Sequence, residues 1–248
     1  MLRVDLNCDL GEGAGHDAAL MPLITSANIA CGAHAGDEAT MRATVALAQR
    51  HGVAIGAHPG FADRENFGRR ERSVSPSEVH QLVYEQVRQL QLIVRGAGAR
   101  VSHVKLHGAL YNLAAREPRL AQAAVEAIYE VDPRLVMFGL AGSQLIAAGD
   151  ACGVAVASEV FADRTYQADG SLTPRSRPDA LITDESGAVV QVLRMVREGK
   201  VRATDGTDVA ISTDTICLHG DGAQPVEFAR RLRQELTTAG IEIKAFGA

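Results

Sequence analysis

Val4-Asp5-Leu6-Asn7-Cys8-Asp9 alternates apolar and polar side chains, and the turn Leu10-Gly11-Glu12-Gly13 follows at once. Successive side chains of a strand point to opposite faces. Val4, Leu6 and Cys8 therefore share one face, and Asp5, Asn7 and Asp9 the other. Three polar groups on one inward face are costly to bury unless a substrate, a metal or opposite charges meet them there. The interior of a barrel near its carboxyl mouth meets that condition, and the same alternation returns on later strands.

Strand and helix patterns alternate beyond this stretch. Ile24–Cys31, Val53–His58, Val101–His107, Leu135–Leu140, Gly153–Glu159 and Asp214–His219 read as strands, with a short further segment at Ile241–Lys244. Asp37–His51, Pro118–Val131, Ser143–Ala151, Val189–Arg197 and Pro225–Thr237 read as helices. Another helix opens at Ser75-Pro76-Ser77-Glu78, where the capping serine, the proline and the acid three residues on form an N-terminal signature. Its apolar residues recur at helical spacing from Val79 to Val94, until Gly96 and Gly98. The connection Val160 to Asp184 has no clear period, and its composition is not that of a disordered segment. Loops of that length in a compact domain are usually functional.

This alternation argues for a parallel sheet with helical crossovers. Closed on itself, it predicts one domain over residues 1–248, an irregular (β/α)7-type, TIM-like barrel. An open doubly wound sheet would carry a glycine-rich phosphate turn after its first strand. Leu10-Gly11-Glu12-Gly13 lacks the third glycine and sets an acid where phosphate would lie.

Composition narrows the function classes. The chain is 46% hydrophobic and 22% charged, with a net charge of −5, as in an ordinary globular enzyme. An acidic balance without tryptophan argues against a nucleic-acid partner. Leu135 to Gly149, the most apolar stretch, is too short to span a bilayer. No signal-peptide pattern precedes the first strand. A cytoplasmic protein without membrane contact is expected. Cys8, Cys31, Cys152 and Cys217 are far apart and form no CxxC pair, which favours buried reduced thiols over a structural zinc site.

The inward parity of the predicted strands collects ionisable groups at their carboxyl ends. Ser26 and Asn28 share a face whose parity reaches His34. Gly56 leads to His58, His103 to Lys105 and His107, Ala157 to Glu159, and Cys217 to His219 and then Asp221. Barrel enzymes keep their active sites at that end. Any one of these residues alone would more often be a hydrogen-bonded structural group; convergence from five strand ends marks a site. Asp9, His58, Lys105, His107, Glu159 and His219 are the catalytic candidates. Asp5, Asn7, Asn28 and His34 are candidates for binding substrate.

Asp9, His34 and His58 make a carboxylate and two-histidine set for a divalent ion. No His-x-x-x-His motif accompanies them, so a metal-free alternative stands beside it, in which Lys105 and the histidines polarise a carbonyl or bind phosphate. The loop holding Arg64, Arg69, Arg70 and Arg72 is either an anion clamp or, with Glu65 and Glu71, a paired surface loop. Arg164, Arg175 and Arg177 invite the same two readings.

Together these stretches resemble the LamB/YcsF family. The likeness runs through DLNCDLGE at 5–12, ANIACGAHAGD at 27–37, GAHPGF at 56–61, DRENFGRR at 63–70, VKLHGALY at 104–111, EVFADR at 159–164 and CLHGD at 217–221. It implies the irregular barrel of the glycoside hydrolase/deacetylase superfamily. It also implies ATP-dependent opening of 5-oxo-L-proline to L-glutamate, with ATP carrying Mg2+, within a 5-oxoprolinase that needs two further subunits, B and C. On that chemistry Lys105, His107 and a loop arginine stabilise a phosphorylated lactam, Asp9 or Glu159 activates water, and His58 or His219 protonates the ring nitrogen. Arg64, Arg69, Arg70 and Arg164 would hold the substrate's anionic groups. No Walker-type motif exists in the chain, which leaves ATP to this chain or to a partner. Two rivals remain: a stand-alone metal-dependent amidohydrolase or deacetylase, and a non-catalytic substrate-binding subunit.

Overall fold

In the computed structural model, which describes residues 2–218 and 224–247, the first strand, β1 (Arg3–Leu10), is the seam of a closed parallel barrel. It is followed by a short helix α1 (Asp17–Leu20) and a 3-10 turn (Met21–Leu23), then β2 (Ser26–Ala30), α2 (Glu38–His51) and β3 (Ala54–His58). Next come α3 (Pro76–Gly96), β4 (His103–Lys105), α4 (Gly108–Arg116), α5 (Pro118–Val131) and β5 (Val136–Leu140). The chain continues through α6 (Gln144–Cys152), β6 (Val156–Phe161) and α7 (Glu185–Glu198). It finishes with β7 (Lys200–Arg202), β8 (Asp208–Ala210), β9 (Thr215–Leu218), α8 (Pro225–Thr238) and β10 (Glu242–Ile243).

The barrel order is β1-β2-β3-β4-β5-β6-β9, and β9 returns to β1 with Asp5 opposite Thr215 and Cys8 opposite Leu218. β10 adds in parallel to the start of β1, pairing Arg3 with Glu242. β7 and β8 form an antiparallel hairpin outside the barrel. The outward face of each strand is apolar (Leu6, Ile29, Ile55, Val104 and Met137 are all buried) and packs under the helices. No helix among the described residues is long and apolar enough to cross a membrane.

Local chemistry sets the helix ends. Ser75 and Glu78 exchange the two bonds of a capping box, with the Ser75 amide donating to Glu78 Oε2 at 2.8 Å. Asp37 caps α2 by accepting from the Thr40 amide at 2.8 Å, and Gly52 ends that helix at φ 66°.

Several elements differ from the sequence reading. β4 is only three residues long, because the His107 amide leaves the ladder to donate to the Pro59 carbonyl. Helix α4 follows at once and has no counterpart in the sequence reading; its first residue is Gly108. Its φ of 55° places it where an added Cβ would come within 2.6 Å of the Gly68 carbonyl, so glycine here permits a close backbone crossing. The α1 turn and the β7–β8 hairpin are likewise additions to the expected elements. The connection after β6 folds back on itself through isolated bridges from Arg164 to Leu181 and from Tyr166 to Leu172 and Ala203.

Inside the barrel, Gly56 faces the His103 ring, which stacks on Phe138 with centroids 4.2 Å apart. A Cβ at position 56 would lie 2.0 Å from His103 Nε2. Gly56→Ala is therefore expected to destabilise the chain by about 3 kcal/mol, the upper range of overpacking costs. Urea denaturation reads this out, and an unchanged midpoint would refute the ring's position.

Candidate active site at the carboxyl mouth of the barrel

The inward polar residues form stacked layers. Deepest is Asp5, which accepts from Thr25 Oγ1 at 2.6 Å, Ser26 Oγ at 2.7 Å and the Thr215 hydroxyl. Burial raises its pKa, and the three hydroxyls only partly offset that. Above it Asn7 Nδ2 donates to Thr215 Oγ1 and Asn28 Nδ2 to Asn7 Oδ1, both at 2.8 Å. His103 Nε2 meets Asn28 Oδ1 at 2.9 Å, and burial lowers this imidazole's pKa to about 3.

Lys105 dominates the upper layer. Its ammonium lies 3.0 Å from Asp9 Oδ1, 3.2 Å from Asn7 Oδ1 and 3.0 Å from Cys217 Sγ. Glu159 Oε1 is 2.8 Å away and completes an ion pair with the ammonium. Burial works against the lysine's charge; Asp9 and Glu159 outweigh it and hold its pKa well above the ordinary lysine value. Burial pushes the Cys217 thiol up, so it serves as a neutral sulfur acceptor. Tyr111, at the start of α4, donates its hydroxyl to Glu159 Oε2 at 2.7 Å.

Beside the lysine sits a histidine cluster. His34 and His107 stack in parallel with centroids 3.7 Å apart, and His58 meets both edge-on. The loop after β3 makes room for the stack. A Cβ at Gly60 would lie 2.9 Å from His34 Nδ1, and one at Gly68 equally close to His34 Cβ. Phe67, held at φ 54°, turns its carbonyl to His107 Nε2 at 2.8 Å. Glu12 Oε1 closes the group, 3.0 Å from His34 Nε2 and 3.3 Å from His107 Nδ1. Its ligand atom and those of the three histidines lie within 4.8 Å of one another.

A cavity of about 680 Å³ opens above both groups. Asp9, Glu12, His58, Lys105, His107 and Tyr111 contribute to its floor and walls, and Gln167 and residues 169–176 of the long connection form another side.

The sequence-predicted residues thus separate by depth. Asp9, His58, Lys105 and His107 reach the cavity. Glu159 lies just beneath it, paired with Lys105 and Tyr111. Asp5, Asn7 and Asn28 do not line it; they form the buried support under Lys105 and Asp9. Of the ion set Asp9, His34 and His58, Asp9 lies 3.3 Å from His58 Nε2 through Oδ2 while Lys105 and Asn28 engage its Oδ1, and Glu12 and His107 cluster with His34 and His58.

The arginines divide as well. Arg69 lines the cavity with its guanidinium 4.8 Å from the Phe67 ring centre. Arg64 clasps the Gly32 and Gly36 carbonyls outside the cavity, and Arg70 is exposed and away from it. Arg164 reaches the cavity wall, yet its guanidinium donates to the Thr173 and Ala180 carbonyls and pins the long connection. His219 and Asp221 lie outside the described residues. Glu12, Tyr111, His103 and Phe67 join the site without being among the residues that sequence reasoning selects for it. For Glu12 the available signal is an acid placed between Gly11 and Gly13 directly after the first strand.

A closed parallel barrel carrying buried ionisable groups at its carboxyl mouth defines the class of barrel enzymes. Within that class the chain belongs to the LamB/YcsF family, whose profile matches residues 4–248. It is 57% identical over 249 residues to the A subunit of the Geobacillus kaustophilus 5-oxoprolinase, spanning 99% of this chain and 97% of that one. The lactam utilization protein of Thermus thermophilus superposes with a TM-score of 0.92 at 44% identity, covering 99% of this chain and all of the other. A family 4 carbohydrate esterase from Streptomyces lividans shares the fold at a TM-score of 0.54 and 10% identity, over 99% of this chain and 93% of the esterase.

Proposed function

We propose that this chain is the A subunit of a 5-oxoprolinase that couples ATP hydrolysis to the opening of 5-oxo-L-proline, working in the cytoplasm with B and C subunits. The carrying observation is the Lys105 ammonium, held charged between Asp9 and Glu159 at the floor of a cavity large enough for a small lactam. The relatives' names support the same reading.

A five-membered lactam resists water until its oxygen is activated. Transfer of the γ-phosphoryl group of ATP, with its Mg2+, to that oxygen leaves an electrophilic ring carbon. Lys105 stabilises the negative charge that develops there. Asp9, fixed by Asn28 and Lys105 on the cavity wall, takes a proton from the attacking water and returns it to the ring nitrogen as the C–N bond breaks, and a second water then cleaves the resulting γ-glutamyl phosphate to L-glutamate and inorganic phosphate. Arg69 and Arg175 supply positive charge on the wall for the substrate carboxylate.

The test measures glutamate and ADP from 5-oxoproline and ATP, for the chain alone and with B and C. Coupled product from the assembled complex is expected, and Asp9→Asn should lower kcat by about 10²–10⁴-fold, the usual range for a general base. No product from a verified complex would overturn the reading. Product without ATP would favour a simple amidohydrolase, and unchanged turnover in Asp9→Asn would move the chemistry elsewhere.

A further inference from the structure

We propose that Glu12, His34, His58 and His107 bind a divalent transition-metal ion, with zinc the best match to their donors. Neither the ring-opening chemistry above nor its residues require this ion, so the inference stands apart from that reading.

His107 Nε2 lies 2.8 Å from the Phe67 carbonyl, which can only accept, so Nε2 carries the ring's proton and Nδ1 presents a lone pair. His58 Nδ1 lies 2.8 Å from the Lys105 carbonyl, so by the same reasoning Nε2 presents a lone pair. These two nitrogens face each other at 2.9 Å. Glu12 Oε1, an acceptor, stands 3.3 Å from the first and 3.7 Å from the second. Asp9 Oδ2, a further acceptor, is 3.3 Å from His58 Nε2. Acceptors converging in a buried pocket need a cation between them.

The spacing suits a metal. Zinc bonds imidazole nitrogen at about 2.0–2.1 Å, so tetrahedral donors around it stand about 3.3 Å apart. The separations from Glu12 Oε1 to His34, His107 and His58 are 3.0, 3.3 and 3.7 Å, and the four ligand atoms, all within 4.8 Å of one another, draw in at their widest when the ion binds. Backbone carbonyls behind His58 and His107 fix tautomer and ring orientation, the usual outer support of metal-bound histidine. Three borderline imidazole nitrogens outnumber the one hard carboxylate oxygen and favour zinc and its first-row neighbours over Mg2+ or Ca2+. His34 Nδ1 is buried with no hydrogen-bond partner among the described residues, which leaves Nε2 as the useful end of that ring.

A proton is the competing occupant: His58 as imidazolium can donate to His107 Nδ1. The experiment separates the two. The full chain is stripped with a chelator, titrated with Zn2+ and Co2+, and assayed for metal content after gel filtration. One equivalent per chain is expected, with the intense visible absorption of a tetrahedral Co2+ site. Glu12→Gln and His34→Gln should each weaken binding at least about tenfold, the usual scale for losing a metal-supporting group, while the far-ultraviolet circular dichroism stays that of the parent. If a variant fails to fold, the Co2+ spectrum of the parent chain decides alone. Uptake far below one equivalent, a six-coordinate Co2+ spectrum, or equal affinity in the folded variants would overturn the proposal. Metal content is read without turnover, so failure of the 5-oxoprolinase assay leaves this result independent.

Discussion

Replacing Lys105 with methionine is expected to lower the stability of the chain by about 3–5 kcal/mol, the cost of leaving a buried charge without its partner. The variant should also abolish measurable turnover of the assembled complex. The lysine is 2% exposed and is the cation shared by Asp9 and Glu159. Methionine replaces most of its apolar stem but leaves two carboxylates facing each other without a cation. Neutralising one of them should recover part of the loss, so Lys105→Met with Glu159→Gln should be more stable than Lys105→Met alone. A double-mutant cycle by urea denaturation measures that coupling. Strict additivity would mean that the three groups do not share one electrostatic layer.

The second large effect is a loss of stability in mild acid. His103 has a folded pKa of about 3, lowered by burial and then by the Lys105 charge, against 6.5 in the unfolded chain. Above pH 6.5 both states hold the ring neutral, and its contribution is fully present. Between pH 6.5 and pH 3 the unfolded chain takes up a proton that the folded chain refuses. Stability then falls by about 1.4 kcal/mol per pH unit, to a total of about 5 kcal/mol. His34 and His107, also lowered by burial, act in the same direction, whereas His58, raised by Asp9 and Glu12 against burial, acts in the opposite one. Comparing the parent with His103→Gln isolates the single ring: denaturation free energies measured between about pH 7.5 and pH 4 should fall less steeply in the variant. Parallel slopes would show that His103 does not lie neutral in the interior.

The sequence shows which residues turn inward but not how deep each one sits. Period-two alternation is a local property of backbone geometry, so Asp5, Asn7 and Asp9 can be placed on one face without any knowledge of their neighbours. Residues two apart on a strand stand about 7 Å apart along it, however, and thus occupy different layers. Which layer meets the cavity depends on the register of β1 against β2 and β9, a tertiary fact. Asp5 consequently belongs to the base of the barrel and Asp9 to its mouth. Glu12 escapes a strand-based reading because it sits in a turn between glycines at φ 72° and 85°, where no periodicity applies. Tyr111 escapes it because α4 begins without a capping side chain, at a glycine that resembles a stop. Arg164 reads as a clamp by residue type alone; only the folded connection shows its guanidinium committed to backbone carbonyls.

The seam between β1 and β9 also dictates an order of assembly. The Thr215 hydroxyl that reaches Asp5 comes from 210 residues further along the chain. On the ribosome β1 emerges before the other barrel strands and waits for about 210 further residues before its second neighbour exists. Until then Asn7 and Lys105 lack Thr215 and Cys217, and the future interior is an open trough filled with water. Drying of the polar layers and closure of the ring are therefore one late event, with the slow kinetics of distant pairings. A chain halted before residue 215 would present both β1 and β6 as naked parallel edges, the surfaces by which unfinished sheets adhere to one another.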